Sequence, residues 1–85
     1  MNTEQQIQTL MLQKQNVQMQ LAEVENALNE LKSTKDDVYE IVGTIMVKKS
    51  KDELMSKLKD KQEILNLRLS RIEKQLDKLN KELEK

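Results

Sequence analysis

The sequence predicts a mainly α protein: an antiparallel two-helix coiled-coil hairpin with a β-hairpin at its bend. Two observations carry this. First, apolar residues recur at alternating steps of three and four in each half of the chain. Ile7, Leu10, Val17, Leu21, Val24, Leu28 and Leu31 form one series, with Lys14 in one of its places. Met55, Leu58, Leu65, Leu69, Ile72, Leu76 and Leu79 form the other, with Gln62 in one place and Leu83 extending it. Such spacing lays one seam along each helix, the condition for a coiled coil. Second, the two series share one register. Folding the chain back puts Ile7 beside Leu79, Leu10 beside Leu76, Val17 beside Leu69 and Leu21 beside Leu65, and the residue numbers of every pair add to 86. The midpoint is Gly43, the single glycine of the chain.

Helix 1 is expected over about residues 3–35. It is polar and rich in glutamine, but its glutamines are interleaved with the heptad residues, as a solvated helix face requires. It has no C-cap glycine, and its end falls between Lys32 and Lys35, two cations suited to the negative end of a helix dipole. Helix 2 is expected over about 51–85. Its start is marked by Ser50-Lys51-Asp52-Glu53, a capping box with Ser50 at the N-cap and Glu53 three residues on. The polar seam residues Lys14 and Gln62 face Ile72 and Val24. Polar residues at such places fix register, and a lysine there can also snorkel to solvent. Surface carboxylates such as Glu73 and Asp77 are expected to pair with nearby lysines of the same helix.

Between the helices, residues 37–49 lose the heptad and become β-branched and apolar, the composition of strands. Gly43-Thr44 fits a two-residue II′ turn with glycine first. Tyr39, Ile41, Ile45 and Val47 are then expected on one face and Val38, Val42 and Met46 on the other. Both faces are apolar, and a lone hairpin is marginal in water. Two readings follow. Either the hairpin folds down onto the end of the coil, or hairpins from several chains build a shared sheet or barrel. The second is favoured, because a helix end cannot cover two faces. The expected assembly residues are Val38, Tyr39, Ile41, Val42, Gly43, Ile45, Met46 and Val47.

Composition narrows the function. The chain has 85 residues, of which 35% are charged in equal numbers of each sign, with one aromatic, no proline and no cysteine. Charge-rich, aromatic-poor, helix-periodic sequence is the profile of a coiled coil. A two-helix rod of this size is marginal alone, which favours an oligomer. Absence of cysteine removes disulfides and thiolate metal sites. With no histidine and no glycine-rich phosphate loop, catalysis has little to stand on, so no enzyme activity, cofactor or metal is expected. Helix 2 has a slight basic excess without a dense basic stripe or stacking aromatics, so no nucleic-acid partner is expected. No apolar run spans a membrane. MNTEQQIQTL lacks the layout of a signal peptide, so a cytoplasmic protein is expected.

The segment D-D-V-Y-x-x-V-G-T-x-x-V-K, carried by Asp36, Asp37, Val38, Tyr39, Val42, Gly43, Thr44, Val47 and Lys48, resembles the beta class of prefoldin subunits. The stretch from Arg68 to Gln75 is similar to that family's second helix. The resemblance covers nearly the whole chain, with the hairpin as its specific part. It implies a prefoldin-like single domain whose hairpin joins others in a central barrel while the coiled-coil arms project. It also implies an ATP-independent holding chaperone, a hetero-hexamer of two alpha-class and four beta-class chains. The implied partners are an alpha-class prefoldin subunit, further copies of this chain, unfolded clients and a chaperonin. The family's arms are usually longer than the ~45–50 Å that the rise per residue gives here.

The resemblance places client capture at the arm tips. Ile7, Leu10, Met11, Leu12, Leu76, Leu79 and Leu83 lie there, with Met11 and Leu12 off the seam. Methionine adapts to varied apolar partners. Met19, Ile64 and Leu67 are also off the seam, as isolated exposed apolar residues often are. The alternative function is a purely structural scaffold, self-assembling through the hairpin into rings or filaments without a client.

Overall fold

In the computed structural model, which describes residues 2–84, the order is α1 (Thr3–Ser33), β1 (Val38–Val42), β2 (Ile45–Lys49) and α2 (Lys51–Leu83). The molecule is a rod, 57 × 25 × 15 Å. Its core is the predicted seam. Val17, Val24, Leu28, Leu65, Ile72 and Leu76 are buried in one cluster, and Ile7, Leu10, Leu21, Leu58 and Leu69 pack against it half-buried. Leu65 is the most enclosed, at 3% exposure. Burying a leucine is worth about 1.5–3 kcal/mol, so this one row supplies most of the drive for the arms to pair.

The helix ends are held by specific bonds. At the start of α1, Asn2 Oδ1 accepts from the Gln5 N–H at 2.8 Å, and the Asn2 N–H donates to Gln5 Oε1 at 3.3 Å. This reciprocal capping box is not among the features expected from sequence. At the start of α2, Ser50 Oγ accepts from the Glu53 N–H at 3.1 Å. The expected return bond from the Glu53 carboxylate is absent from the cap, so only half of the predicted box forms.

α1 ends at Ser33, two residues before the expected limit. Thr34 leaves the helix with extended backbone, while its hydroxyl donates to the Glu30 carbonyl at 2.7 Å. Lys51 then reaches across from the first turn of α2. Its Nζ donates to the carbonyls of Lys32 (3.2 Å) and Thr34 (3.1 Å). Helix C-termini leave carbonyls unpaired and carry partial negative charge, and a lysine answers both. The start of one arm thereby caps the end of the other.

The strands pair antiparallel, with Tyr39 opposite Lys48, Glu40 opposite Val47, Ile41 opposite Met46 and Val42 opposite Ile45. Gly43 has φ +63°, and no other described residue has positive φ. Positive φ at the first central residue alone is the signature of the predicted II′ turn. The expected division of faces is corrected. Directly opposed residues share a face, so Val42 and Ile45 go together. One face carries Tyr39, Ile41 and Met46 beside Lys48. The other carries Val38, Val42, Ile45 and Val47 beside Glu40 and Lys49. Both remain largely apolar.

The surface charges also differ from expectation. Glu73 does not pair along its own helix. Its carboxylate lies 3.9 Å from Lys14 Nζ on the opposite arm. Lys14 snorkels: its seam place faces Ile72, and its ammonium turns out to the next residue.

Candidate functional site

The hairpin stands off the end of the coil. Ile41 is 73% exposed, Met46 65% and Ile45 63%, and Tyr39 and Val42 are exposed by about half. The arrangement in which the hairpin folds down onto the coil is therefore not adopted. Only its base is sheltered, where Val38, Glu40 and Lys49 are half-buried. One charge tie crosses from sheet to arm: Lys57 Nζ on α2 donates to Glu40 Oε1 at 2.7 Å. This hydrogen bond holds the Glu40 carboxyl below its ordinary range, with the charges of Lys57 and Lys49 acting in the same direction against partial desolvation. A second pair, Lys48 with Asp37 at 3.4 Å, fastens β2 to the segment leading into β1. All eight residues expected to drive assembly thus lie on one small hairpin, and seven of them present apolar side chains on two faces.

The expected tip residues do not form one patch. Ile7, Met11, Leu12 and Leu76 line a long, shallow groove on one side of the coil, together with Gln8, Gln15 and Asp77. Leu10 and Leu79 line a smaller groove on the other side. Accessibility divides them further. Met11 and Leu12 are 57% and 67% exposed, whereas Leu76 is buried in the seam. Leu83 is half-exposed and lines neither groove. Sequence spacing locates the open end but not its division. The groove walls come from both arms, and only the packed pair shows which side each residue takes.

Among the described residues there is no group of His, Cys, Asp or Glu that could hold a metal ion. No described helix is long and apolar enough to cross a membrane.

These features define a class: a coiled-coil hairpin protein whose accessible apolar surface is concentrated at its bend, with single exposed apolar residues spread along its arms. The family model described as prefoldin subunit matches residues 1–85. The chain is 46% identical over 82 residues to prefoldin subunit beta of Thermococcus kodakarensis, covering 94% of this chain and 70% of that one. It is 44% identical over 78 residues to prefoldin subunit beta of Methanosarcina acetivorans, covering 89% and 67%. The crystal structure of the prefoldin beta subunit from Thermococcus strain KS-1 superposes with a TM-score of 0.92 at 43% identity, covering 96% of this chain and 74% of that chain. The prefoldin beta2 subunit from the same strain, at 17% identity, shares the fold with a TM-score of 0.86 over 96% of this chain and 89% of its own. The chain belongs to the prefoldin subunit family, whose members are chaperone components and not enzymes.

Proposed function

We propose that this chain is a beta-class subunit of a cytoplasmic holding chaperone. It assembles through its β-hairpin with an alpha-class subunit and with further copies of itself, in a hetero-hexamer of two alpha-class and four beta-class chains. The assembled complex captures unfolded proteins at the open ends of its arms without ATP and delivers them to a chaperonin.

The observation that carries this reading is the uncovered hairpin. Exposed apolar patches on small proteins mark interaction sites. Here the patch has two faces and open strand edges, which suit pairing with other strands. The arms supply the other half of the reading, because Met11 and Leu12 offer adaptable apolar surface at the end farthest from the hairpin, where a helix pair is least held by neighbours.

The test combines native mass spectrometry with light scattering. Mixed with an alpha-class chain, the protein should form one hexameric species. That species should suppress aggregation of a chemically unfolded test protein in the absence of nucleotide. A complex that assembles but gives no protection would make the chain a structural scaffold instead. A protein that stays monomeric with and without the alpha-class chain would overturn the assembly reading.

A further inference from the structure

The slight basic excess of α2 is not evenly spread. From Ile64 onward, the row turned away from the seam is Ile64, Leu67, Arg71, Lys74, Lys78 and Lys81, with no acid in it. From Asn16 onward, the corresponding row of α1 is Asn16, Met19, Glu23, Asn26, Glu30 and Ser33, with no base in it. All of these residues are exposed. The three ion pairs among the described residues use none of their charges. Each row thus passes from an exposed apolar side chain, Met19 at 62% or Leu67 at 55%, into charge of a single sign. The rows lie on opposite sides of the rod, so they do not meet within one chain.

We propose that they meet between copies: the outer row of α2 docks on the outer row of α1 of a second copy, with the two helices parallel. A single offset sets Leu67 against Met19, Arg71 against Glu23 and Lys78 against Glu30, while Lys74 and Lys81 face the neutral Asn26 and Ser33. The same offset brings Lys51 beside Thr3 and Lys81 beside Ser33, the two ends of α1, so the contact runs the length of that helix. The places flanking the row on α1, Gln20, Ala22, Ala27 and Asn29, carry no charge, and the alanines leave room for close approach. With the helices antiparallel, the register that sets both glutamates against lysines, Glu23 with Lys81 and Glu30 with Lys74, leaves Met19 and Leu67 without apolar partners. α1 runs from the open end to the bend and α2 runs back, so a parallel pair of α1 and α2 sets the two rods in opposite directions. Two assembled complexes therefore meet arms first and interleave. Exposed ion pairs are weak singly, and several arms engaging at once give the contact its strength. The inference draws on assembly through the hairpin for this multivalency and is independent of client capture.

The test is a charge swap read by sedimentation of the assembled complex at about 20 mM and about 500 mM salt, which shortens the screening length from roughly 20 Å to under 5 Å. At low salt a species of two complexes should appear, and high salt should weaken its formation by about tenfold or more. Arg71→Glu with Lys78→Glu should abolish the pairing, and so should Glu23→Lys with Glu30→Lys. All four positions are exposed, so circular dichroism should show unchanged helicity. Mixing the two variant complexes should restore the pairing, because the acidic α2 row of one then meets the basic α1 row of the other. The chain has no cysteine, so register can be read by disulfide formation. Mixed under mild oxidation, Met19→Cys and Leu67→Cys chains should join to each other, and Met19→Cys with Lys81→Cys should not. No paired complexes at low salt, pairing indifferent to both reversals, no recovery on mixing, or preferential linkage to the Lys81→Cys chain overturns the inference. Hairpin assembly is read separately at high salt, where the arm contact is screened. If no complex forms there, the assembly reading fails, and the disulfide experiment on the free chain still decides the arm contact.

Discussion

Lys57 on α2 and Glu40 on β1 are joined by a 2.7 Å hydrogen bond, the one ion pair among the described residues that links the hairpin to an arm. The pair sits on the face that also carries Val38, Val42, Ile45, Val47 and Lys49, and its carboxylate end is the more sheltered, at 21% side-chain exposure against 67% for the lysine. It ties the middle of β1 to the second turn of α2.

Because Lys57 holds the Glu40 carboxyl below its ordinary value of 4.5, the pair is pH-dependent with a defined sign. The unfolded carboxyl takes up its proton first as pH falls. The stabilising contribution is therefore complete above the ordinary carboxyl range and disappears as pH drops through the lower folded value. An NMR titration should give Glu40 a midpoint below 4.5, and Lys57→Met should return it to the ordinary range. An unchanged midpoint in that variant would show that the tie is not formed in solution. Global stability should change little, since such a pair is open to water and salt.

Ile41 and Ile45 test the assembly surface one face at a time, since the observed register sets them on opposite sides of the hairpin. Each is mostly exposed in the single chain, so an aspartate at either costs little before association. In a packed interface an unpaired carboxylate is prohibitive. Ile41→Asp with Ile45→Asp should give smaller species in sedimentation with helicity kept. The single variants should then rank the faces by how deeply each is covered in the complex. Normal assembly of the double variant would remove the hairpin from the assembly mechanism.

Gly43 offers a cleaner separation of sterics from backbone strain than most turn glycines. A Cβ added there meets nothing within 4 Å, yet φ is +63°. Any cost of substitution is therefore conformational. Gly43→Val should cost about 1–3 kcal/mol. In a domain of this size that lowers the melting midpoint by on the order of 5 °C or more. Gly43→Asn should be milder, because asparagine tolerates positive φ better than a β-branched residue. Equal melting of the valine variant and the parent chain would mean that the turn can be made with negative φ.

The long-range architecture is unusually legible in the sequence, and the reason is geometric. A seam of three-and-four steps names both the helix face and its partner, so spacing alone sets Leu65, Ile72 and Leu76 against Leu21, Lys14 and Leu10. The turn is legible because few residues reach the φ that Gly43 adopts. The hairpin faces are not, although the turn is. A two-residue turn makes Val42 and Ile45 direct partners, and counting alternation through the turn instead of across it shifts β2 by one residue and exchanges its sides. The Asn2–Gln5 box is hard to read because the pattern precedes a polar helix whose start has no apolar run to mark it. Lys51 looks like an ordinary surface lysine. Its bonds to the end of α1 exist only because the hairpin brings the two helix ends together. The tip groove is hidden for a similar reason, as its two walls belong to opposite ends of the chain.

That groove decides the last prediction. Met11 and Leu12 line it while lying off the seam, and both are mostly exposed, so neither supports the pairing of the arms. Met11→Ser with Leu12→Ser should leave the melting midpoint and assembly close to those of the parent protein. Leu76→Ala probes the same groove from its floor, but that residue is 8% exposed and packed in the core. It should destabilise the coil by about 2–5 kcal/mol, so loss of protection there would report unfolding of the arm and not loss of a contact. The serine pair is the informative variant. In light scattering without ATP, the assembled complex carrying it should protect an unfolded test protein less well than the parent complex at equal concentration. Leu10 and Leu79 lie in the groove on the opposite side, so the residual protection measures what that side contributes. Undiminished protection by the serine pair would exclude this groove as the client contact, and would leave the smaller groove and Leu83 as the surfaces still able to explain capture at the open end.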